Sequence, residues 1–215
     1  MKALLVYSGG LDSTVLLHKY REHIVTAVSF VYGAKHNSRE IDKAKQNCSE
    51  LGIRHIIIDI SNIGACLKSS LLEKADVPSG KYDNKNMKST VVPFRNGIML
   101  SIAAGIAESN GFDTVMIANH TGDHFIYPDC RPEFIEKMNE SINLGTDGSV
   151  KLFAPFTNIS KAEIVKIGAE IDVDFKNTWT CYNGRDVHCG VCGSCNERKE
   201  SFQLTKIKDP TEYEQ

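Results

Sequence analysis

Ser8-Gly9-Gly10-Leu11-Asp12-Ser13, followed by Thr14, sets glycines, hydroxyls and one carboxylate between an apolar run and a helical pattern. A glycine turn from a strand into a helix leaves backbone N–H groups unpaired at the positive end of the helix dipole, which makes an anion site. Gly9 and Gly10 let the backbone turn tightly and approach a ligand with no Cβ in the way. Ser8 and Ser13 can donate hydroxyl hydrogen bonds to phosphate oxygens. Asp12 would be repelled by phosphates unless a divalent cation sat between them, and Mg²⁺ binds in this way. The competing reading is a plain βα turn in which Ser8 or Asp12 only caps the helix. Neither Gly-x-Gly-x-x-Gly nor Gly-x-x-x-x-Gly-Lys-[Ser/Thr] occurs at this junction.

A second constellation lies near the other end. Cys181, Cys189, Cys192 and Cys195 are spaced C-x7-C-x2-C-x2-C, with Gly190 and Gly193 easing the turns. Four thiolates in so short a segment suit a closed tetrahedral zinc site, one Zn²⁺ per chain, with no open position for water and hence a structural role. A four-thiolate iron–sulfur cluster is the rival. His188, beside Cys189, is a competing ligand.

The elements that must hold these groups show in the hydrophobic pattern. Lys2–Tyr7, Ile24–Tyr32, His55–Ile60 and Phe112–Asn119 have strand length and near-continuous hydrophobicity, which predicts strands buried on both faces. Helical patterns alternate with them in "DSTVLLHKYREH", "NSREIDKAKQNCSELG" and "RNGIMLSIAAGIAESNG". The alternation predicts a doubly wound α/β fold with a mainly parallel sheet. A polar loop at 73–95 reads as a lid, a binding loop or a disordered segment. The expected organisation is one α/β domain over 1–178 and a zinc-binding extension over 179–215 packed on it.

Composition narrows the function classes. The chain has 215 residues and a formal charge of −2, which argues against a nucleic-acid surface. No apolar run approaches the roughly 20 residues of a membrane span. No signal-peptide pattern opens the sequence, and the seven cysteines are uneven, so a cytoplasmic protein is expected.

Ser8 to Ser13 resembles the Ser-Gly-Gly-x-Asp-Ser signature of the ATP pyrophosphatase, or PP-loop, superfamily, whose fold is of the adenine nucleotide alpha-hydrolase type. Further stretches are "VVPFRNG" (Val91–Gly97), "YPDCRPEF" (Tyr127–Phe134), and the cysteine tail followed by Glu197-Arg198. Together with the glycine junction they resemble the 7-cyano-7-deazaguanine synthase family of queuosine biosynthesis, from Tyr7 to Phe202. Ile126, Ala34-Lys35 and "HTGDHF" depart from the family's usual residues. The resemblance implies an ATP-dependent ligase that converts 7-carboxy-7-deazaguanine and ammonia to the nitrile through adenylated acid and amide intermediates. It also implies a homodimer.

On that reading Ser8, Gly9, Gly10, Leu11, Asp12, Ser13 and Thr14 bind ATP, and Asp12, Ser13 and Arg95 are catalytic. Arg95 would clamp phosphate or the substrate carboxylate. Asp129 is the first choice for the guanine-like edge, with Asp123 or Glu133 in reserve. Arg131 would meet an acceptor oxygen, and Tyr127 or Phe134 would stack on the ring. The bland alternatives are an Asp129–Arg131 pair with Glu133 as the arginine's other partner, Asn96 as a helix cap, and Cys130 as a small buried hydrophobe. Lys35-His36 and the pair His120 and His124 read equally as surface, and Trp179 as a packing anchor. Rival functions are a related enzyme adenylating another acceptor, such as a tRNA, and a non-catalytic ATP- and zinc-binding module.

Overall fold

The computed structural model describes residues 1–72 and 76–214. Glu73, where the predicted loop opens, and Gln215, the last residue of the predicted extension, lie outside the described residues. In chain order the strands are β1 (Ala3–Val6), β2 (Ile24–Val31), β3 (Arg54–Asp59), β4 (Thr114–Met116) and β5 (Lys151–Phe153). The helices are α1 (Leu11–Lys19), α2 (Asn37–Glu50), the short turns α3 (Ser61–Gly64) and α4 (Asn84–Met87), α5 (Arg95–Ser109), α6 (Pro132–Gly145), α7 (Lys161–Glu170) and α8 (Gly193–Thr205).

The strands form one sheet in the order β3-β2-β1-β4-β5, and every pairing is parallel. Side chains alternate across it, as a period of two requires. Leu4 joins a core with Val28, Leu100 and Val115 on one face, while Ala3 and Leu5 join Ala27, Leu16 and Met116 on the other. β1 and β2 are buried on both faces as predicted. β3 is not: Ile57 is 42% exposed, because this strand is the sheet's edge. β5 has three residues, too few to show a period, so its run carries no strand signal.

The chain order reverses between β1 and β4, and open parallel sheets bind ligands at the carboxyl ends of their strands at such a point. The cysteine segment is tied to this body from within. Its cysteines share the Leu4 and Val28 core, and Phe202 of α8 enters the opposite one. Arg198, fully buried, donates to Thr178 Oγ1 at 2.7 Å and to the Phe175 carbonyl at 3.0 Å, and pairs with Asp209 at 3.2 Å. Among the described residues no single helix is long and apolar enough to cross a membrane.

Candidate active site

A cavity opens at the β1/β4 reversal, lined by the glycine junction, the starts of α2 and α5, and Trp179, Thr180 and Tyr182 of the cysteine segment. Gly9 has φ +81°, and a Cβ there would strike the Glu40 carbonyl oxygen and lie 2.9 Å from the Ala44 nitrogen. Only glycine allows α2 to pack so close beneath the turn. The Gly9 carbonyl accepts from the Trp179 N–H at 3.0 Å, which fixes the outer face of the junction. Ser8 Oγ lies 3.0 Å from Ser13 Oγ and accepts from the Gly10 N–H at 3.1 Å. The N-cap of α1 is Gly10, with no side-chain cap, so neither Ser8 nor Asp12 closes the helix. Thr14 is turned away, its hydroxyl 3.1 Å from the Tyr7 hydroxyl.

Beside this open helix end stands a network of charges from four parts of the chain. Lys161, the first residue of α7, places its ammonium 3.4 Å from Asp12 Oδ2 and 2.6 Å from Glu197 Oε2 of α8. His120 Nδ1 accepts from the Gly122 N–H at 3.1 Å, which leaves the ring proton on Nε2. That nitrogen faces Asp123 at 3.6 Å, Glu197 at 3.8 Å and Asp12 at 3.9 Å. Asp123 also accepts from the Tyr82 hydroxyl at 2.7 Å. Burial alone would depress Lys161, but the Asp12, Glu197 and Asp123 carboxylates outweigh it and hold the ammonium well above its ordinary range. Burial raises Glu197 against the pull of Lys161 and His120. Asp123 goes the other way: burial would raise it, but His120, Lys161 and the Tyr82 hydroxyl hold it below the ordinary range. Asp12 Oδ1 is buried with no hydrogen-bond partner among the described residues, a free acceptor at the uncapped end of α1.

The other end of the cavity is built on aromatic hydroxyls and one guanidinium. Arg95, at the start of α5, donates to the Tyr32 hydroxyl at 3.3 Å with its guanidinium 5.7 Å from that ring's centre. Tyr127 places its hydroxyl 3.1 Å from Thr90 Oγ1 and 3.3 Å from the Tyr182 hydroxyl. Tyr182 lies against His36, ring centres 5.1 Å apart, and His36 is buried rather than on a solvated face. Burial, then Arg95, lowers His36 to about 4.

The structure brings Ser8, Gly10, Leu11, Asp12, Ser13, Arg95, Asp123 and Tyr127 onto this cavity, and it places Asp129, Arg131 and Phe134 elsewhere. Asp129 Oδ2 accepts from the Asn96 N–H at 2.8 Å, so it closes the first turn of α5 from a distance, and Asn96 is not that helix's cap. Asn96 instead donates its amide to the Asp129 carbonyl and to Cys130 Sγ, each at 3.2 Å. Arg131 is exposed and donates to the His124 carbonyl at 3.0 Å, with no ion pair to Asp129 or Glu133 among the described residues. Phe134 packs edge-on against Phe94, ring centres 5.7 Å apart. Lys161, Tyr82 and Glu40 were not singled out from sequence, and Glu197 was quoted only as part of the cysteine-tail motif, with no role assigned to it. The one available signal was Ser160-Lys161-Ala162-Glu163, whose capping-box pattern marks a helix start at Lys161.

The sulfurs of Cys181, Cys189, Cys192 and Cys195 are buried and lie within 4.8 Å of one another, a set that could hold a metal ion. Backbone N–H groups support them: Cys189 N donates to Cys181 Sγ and Cys192 N to Cys189 Sγ, each at 3.3 Å. His188 is committed elsewhere, its Nε2 accepting from the Thr180 N–H at 3.1 Å.

A parallel sheet whose first strand ends in Ser-Gly-Gly-x-Asp-Ser, with a cavity over the uncapped helix behind it, defines a PP-loop nucleotide-binding fold. The solved NMN synthetase of Francisella tularensis shares that fold at a TM-score of 0.50 and 14% identity, covering 96% of this chain and 78% of its own. Within the class, residues 2–206 match the family described as "Queuosine biosynthesis protein QueC", and the chain belongs to that family. A 7-cyano-7-deazaguanine synthase of Porphyromonas gingivalis is 52% identical over 213 residues, which cover 99% of this chain and 97% of the relative. One from Desulfotalea psychrophila is 50% identical over 214 residues, covering 98% of each.

Proposed function

We propose that the protein is an ATP-dependent carbon–nitrogen ligase that makes 7-cyano-7-deazaguanine from 7-carboxy-7-deazaguanine and ammonia. Family membership supports the reading, and one structural observation carries it: the buried, unpartnered Asp12 Oδ1 beside the uncapped start of α1. A free carboxylate oxygen next to open N–H donors fits a divalent cation riding on a polyphosphate. Asp12 would hold Mg²⁺, which supplies charge neutralisation at the phosphates when bound. Ser8, Gly9, Gly10, Leu11, Ser13 and the first N–H groups of α1 would grip the phosphates that leave as pyrophosphate, with Thr14 bracing the loop through Tyr7. Lys161 adds a fixed positive charge on the same side, where charge builds as an acceptor oxygen displaces the leaving group.

Arg95 is suited to orient the acid's carboxylate for adenylation, and Asp123 and Tyr127 complete the acceptor's wall. The carboxylate oxygen needs this activation because it is a poor leaving group; as an adenylate, the carbon can accept ammonia and release AMP. A second activation, of the amide oxygen, precedes the nitrile. Asp129, Arg131 and Phe134 stand outside the cavity, so they would act on the substrate only after a rearrangement of that segment. The four-thiolate set fits one structural Zn²⁺, since a closed sulfur cage leaves no site for a reacting group. A homodimer of a cytoplasmic enzyme completes the proposal. The test is incubation with ATP, Mg²⁺, ammonium and 7-carboxy-7-deazaguanine. Nitrile with AMP and pyrophosphate is the expected product set, and absence of acid-dependent ATP turnover overturns the reading.

A further inference from the structure

The reaction needs more than phosphate chemistry. When ammonia adds to the adenylate, the new C–N bond leaves nitrogen with a proton it must lose before AMP departs. Conversion of the amide needs loss of both remaining N–H protons. The first leaves readily to solvent once the amide oxygen carries the adenylyl group. The second must go as the C≡N bond forms and the C–O bond breaks, its electron pair leaving on AMP. A base inside the cavity is required, and the nucleotide machinery offers none that is uncommitted. Asp12 pairs through Oδ2 with Lys161 and its free Oδ1 is assigned to the cation, Glu197 is paired with Lys161, and Asp123 with Tyr82 and His120.

Glu40 differs from all of these. It lines the same cavity as Ser8, Asp12 and Arg95, and its own backbone carbonyl lies under Gly9. Among the described residues its carboxylate has no hydrogen bond and no lysine or arginine ion pair; the one side chain within ion-pair range is His36, its Nε2 3.7 Å away. We infer that Glu40 is a catalytic base of the nitrile-forming reaction, its carboxylate taking the proton that nitrogen sheds as the amide forms and again as the nitrile forms. The inference rests on the ligase reading above.

The surroundings tune the group for this task. It is faced by Arg95 from α5, by Tyr32 at the end of β2 and by His36 ahead of α2, with Tyr182 of the cysteine segment behind His36. Burial pushes the Glu40 carboxyl up to about 8, with Arg95 pulling the other way. His36, lowered to about 4, is neutral there and does not hold Glu40 as an anion. A base that titrates near the working pH accepts a proton in the transition state and still returns it to solvent between steps.

Two rates on the intact protein test this. Acid-dependent exchange of labelled pyrophosphate into ATP reports adenylation, and nitrile formation at a fixed concentration of unprotonated ammonia reports the proton-removing steps. In Glu40→Gln, exchange is expected to persist, which also shows the variant folded, while nitrile formation falls on the order of 10²–10⁴-fold. In the wild type nitrile formation should rise with pH through a midpoint near 8, a limb absent from Glu40→Gln and restored in part by Glu40→Asp. An equal fall in both rates, or a limb that survives in Glu40→Gln, overturns the inference. Absence of exchange in the wild type is a different failure, because it overturns the adenylating reading itself.

Discussion

Helices α1 and α7 pack against each other and begin at the same cavity, yet their first turns are finished in opposite ways. α7 closes itself. Ser160 Oγ accepts from the Glu163 N–H at 3.3 Å, and Glu163 Oε2 accepts from the Ser160 N–H at 2.7 Å, a complete capping box. α1 starts at Gly10 with no side-chain cap and a free Asp12 oxygen beside it. A closed start gives α7 a fixed place from which to present Lys161. The open start leaves α1 with first-turn donors that no side chain caps and that can take an outside anion. α8 is a third case: its N-cap is Cys192, so its entry is set by the sulfur cluster, and one turn later it delivers Glu197 to Lys161. The cluster is therefore coupled to the cavity through α8.

The sharpest way to break this contrast is at the open helix. Asp12→Ala should lower nitrile formation by at least about 10²–10³-fold with the fold intact, as expected for loss of a charge-stabilising group. Steady-state rates and circular dichroism check it, and near-normal turnover would remove the metal-bridge argument. Next is the link between the two helices. Lys161→Met leaves the buried Glu197 and the half-buried Asp12 and Asp123 without their cation, and should cost about 3–5 kcal/mol in a urea titration. Cys192→Ser should strip the bound metal, measured by elemental analysis, and lower Tm, with turnover surviving in whatever fraction stays metal-loaded and folded. The smallest effect is expected at the closed helix, where Ser160→Ala should cost about 1 kcal/mol and leave turnover unchanged.

The same network sets a pH window. Lys161 is held above its ordinary value, so its contribution is complete below about 10.4 and is lost as pH climbs through the raised value. Asp123 is held below its ordinary value, so its contribution is complete above about 3.9 and is lost as pH falls through the lowered one. Tm should decline at both ends, and in Lys161→Met the alkaline decline attributable to this pair should vanish. Calorimetry across pH measures both.

What could be read ahead of the structure was local. The glycine junction and the cysteine spacing each lie within one short segment, where turn geometry and ligand spacing follow from neighbours in sequence. β1 and β2 showed as continuous apolar runs because both their faces are covered, whereas β3 gave the same signal for an edge. The "YPDCRPEF" segment was harder. Asp129, Arg131 and Phe134 have the chemistry of a binding site, but their partners are Asn96, the His124 carbonyl and Phe94. A residue type says what a side chain can do, and packing decides what it meets.

By itself, then, the sequence determined the parallel α/β frame, the anion-ready turn at Gly9-Gly10 and the four-sulfur set, since each is encoded by spacing along the chain. Only the tertiary structure decided that Lys161 and Glu197, 36 residues apart, close on Asp12, and that Glu40 lines the cavity beside Arg95 with no hydrogen bond to its carboxylate among the described residues. Burial and Coulomb energy depend on distances in space, and no pattern along the chain records them.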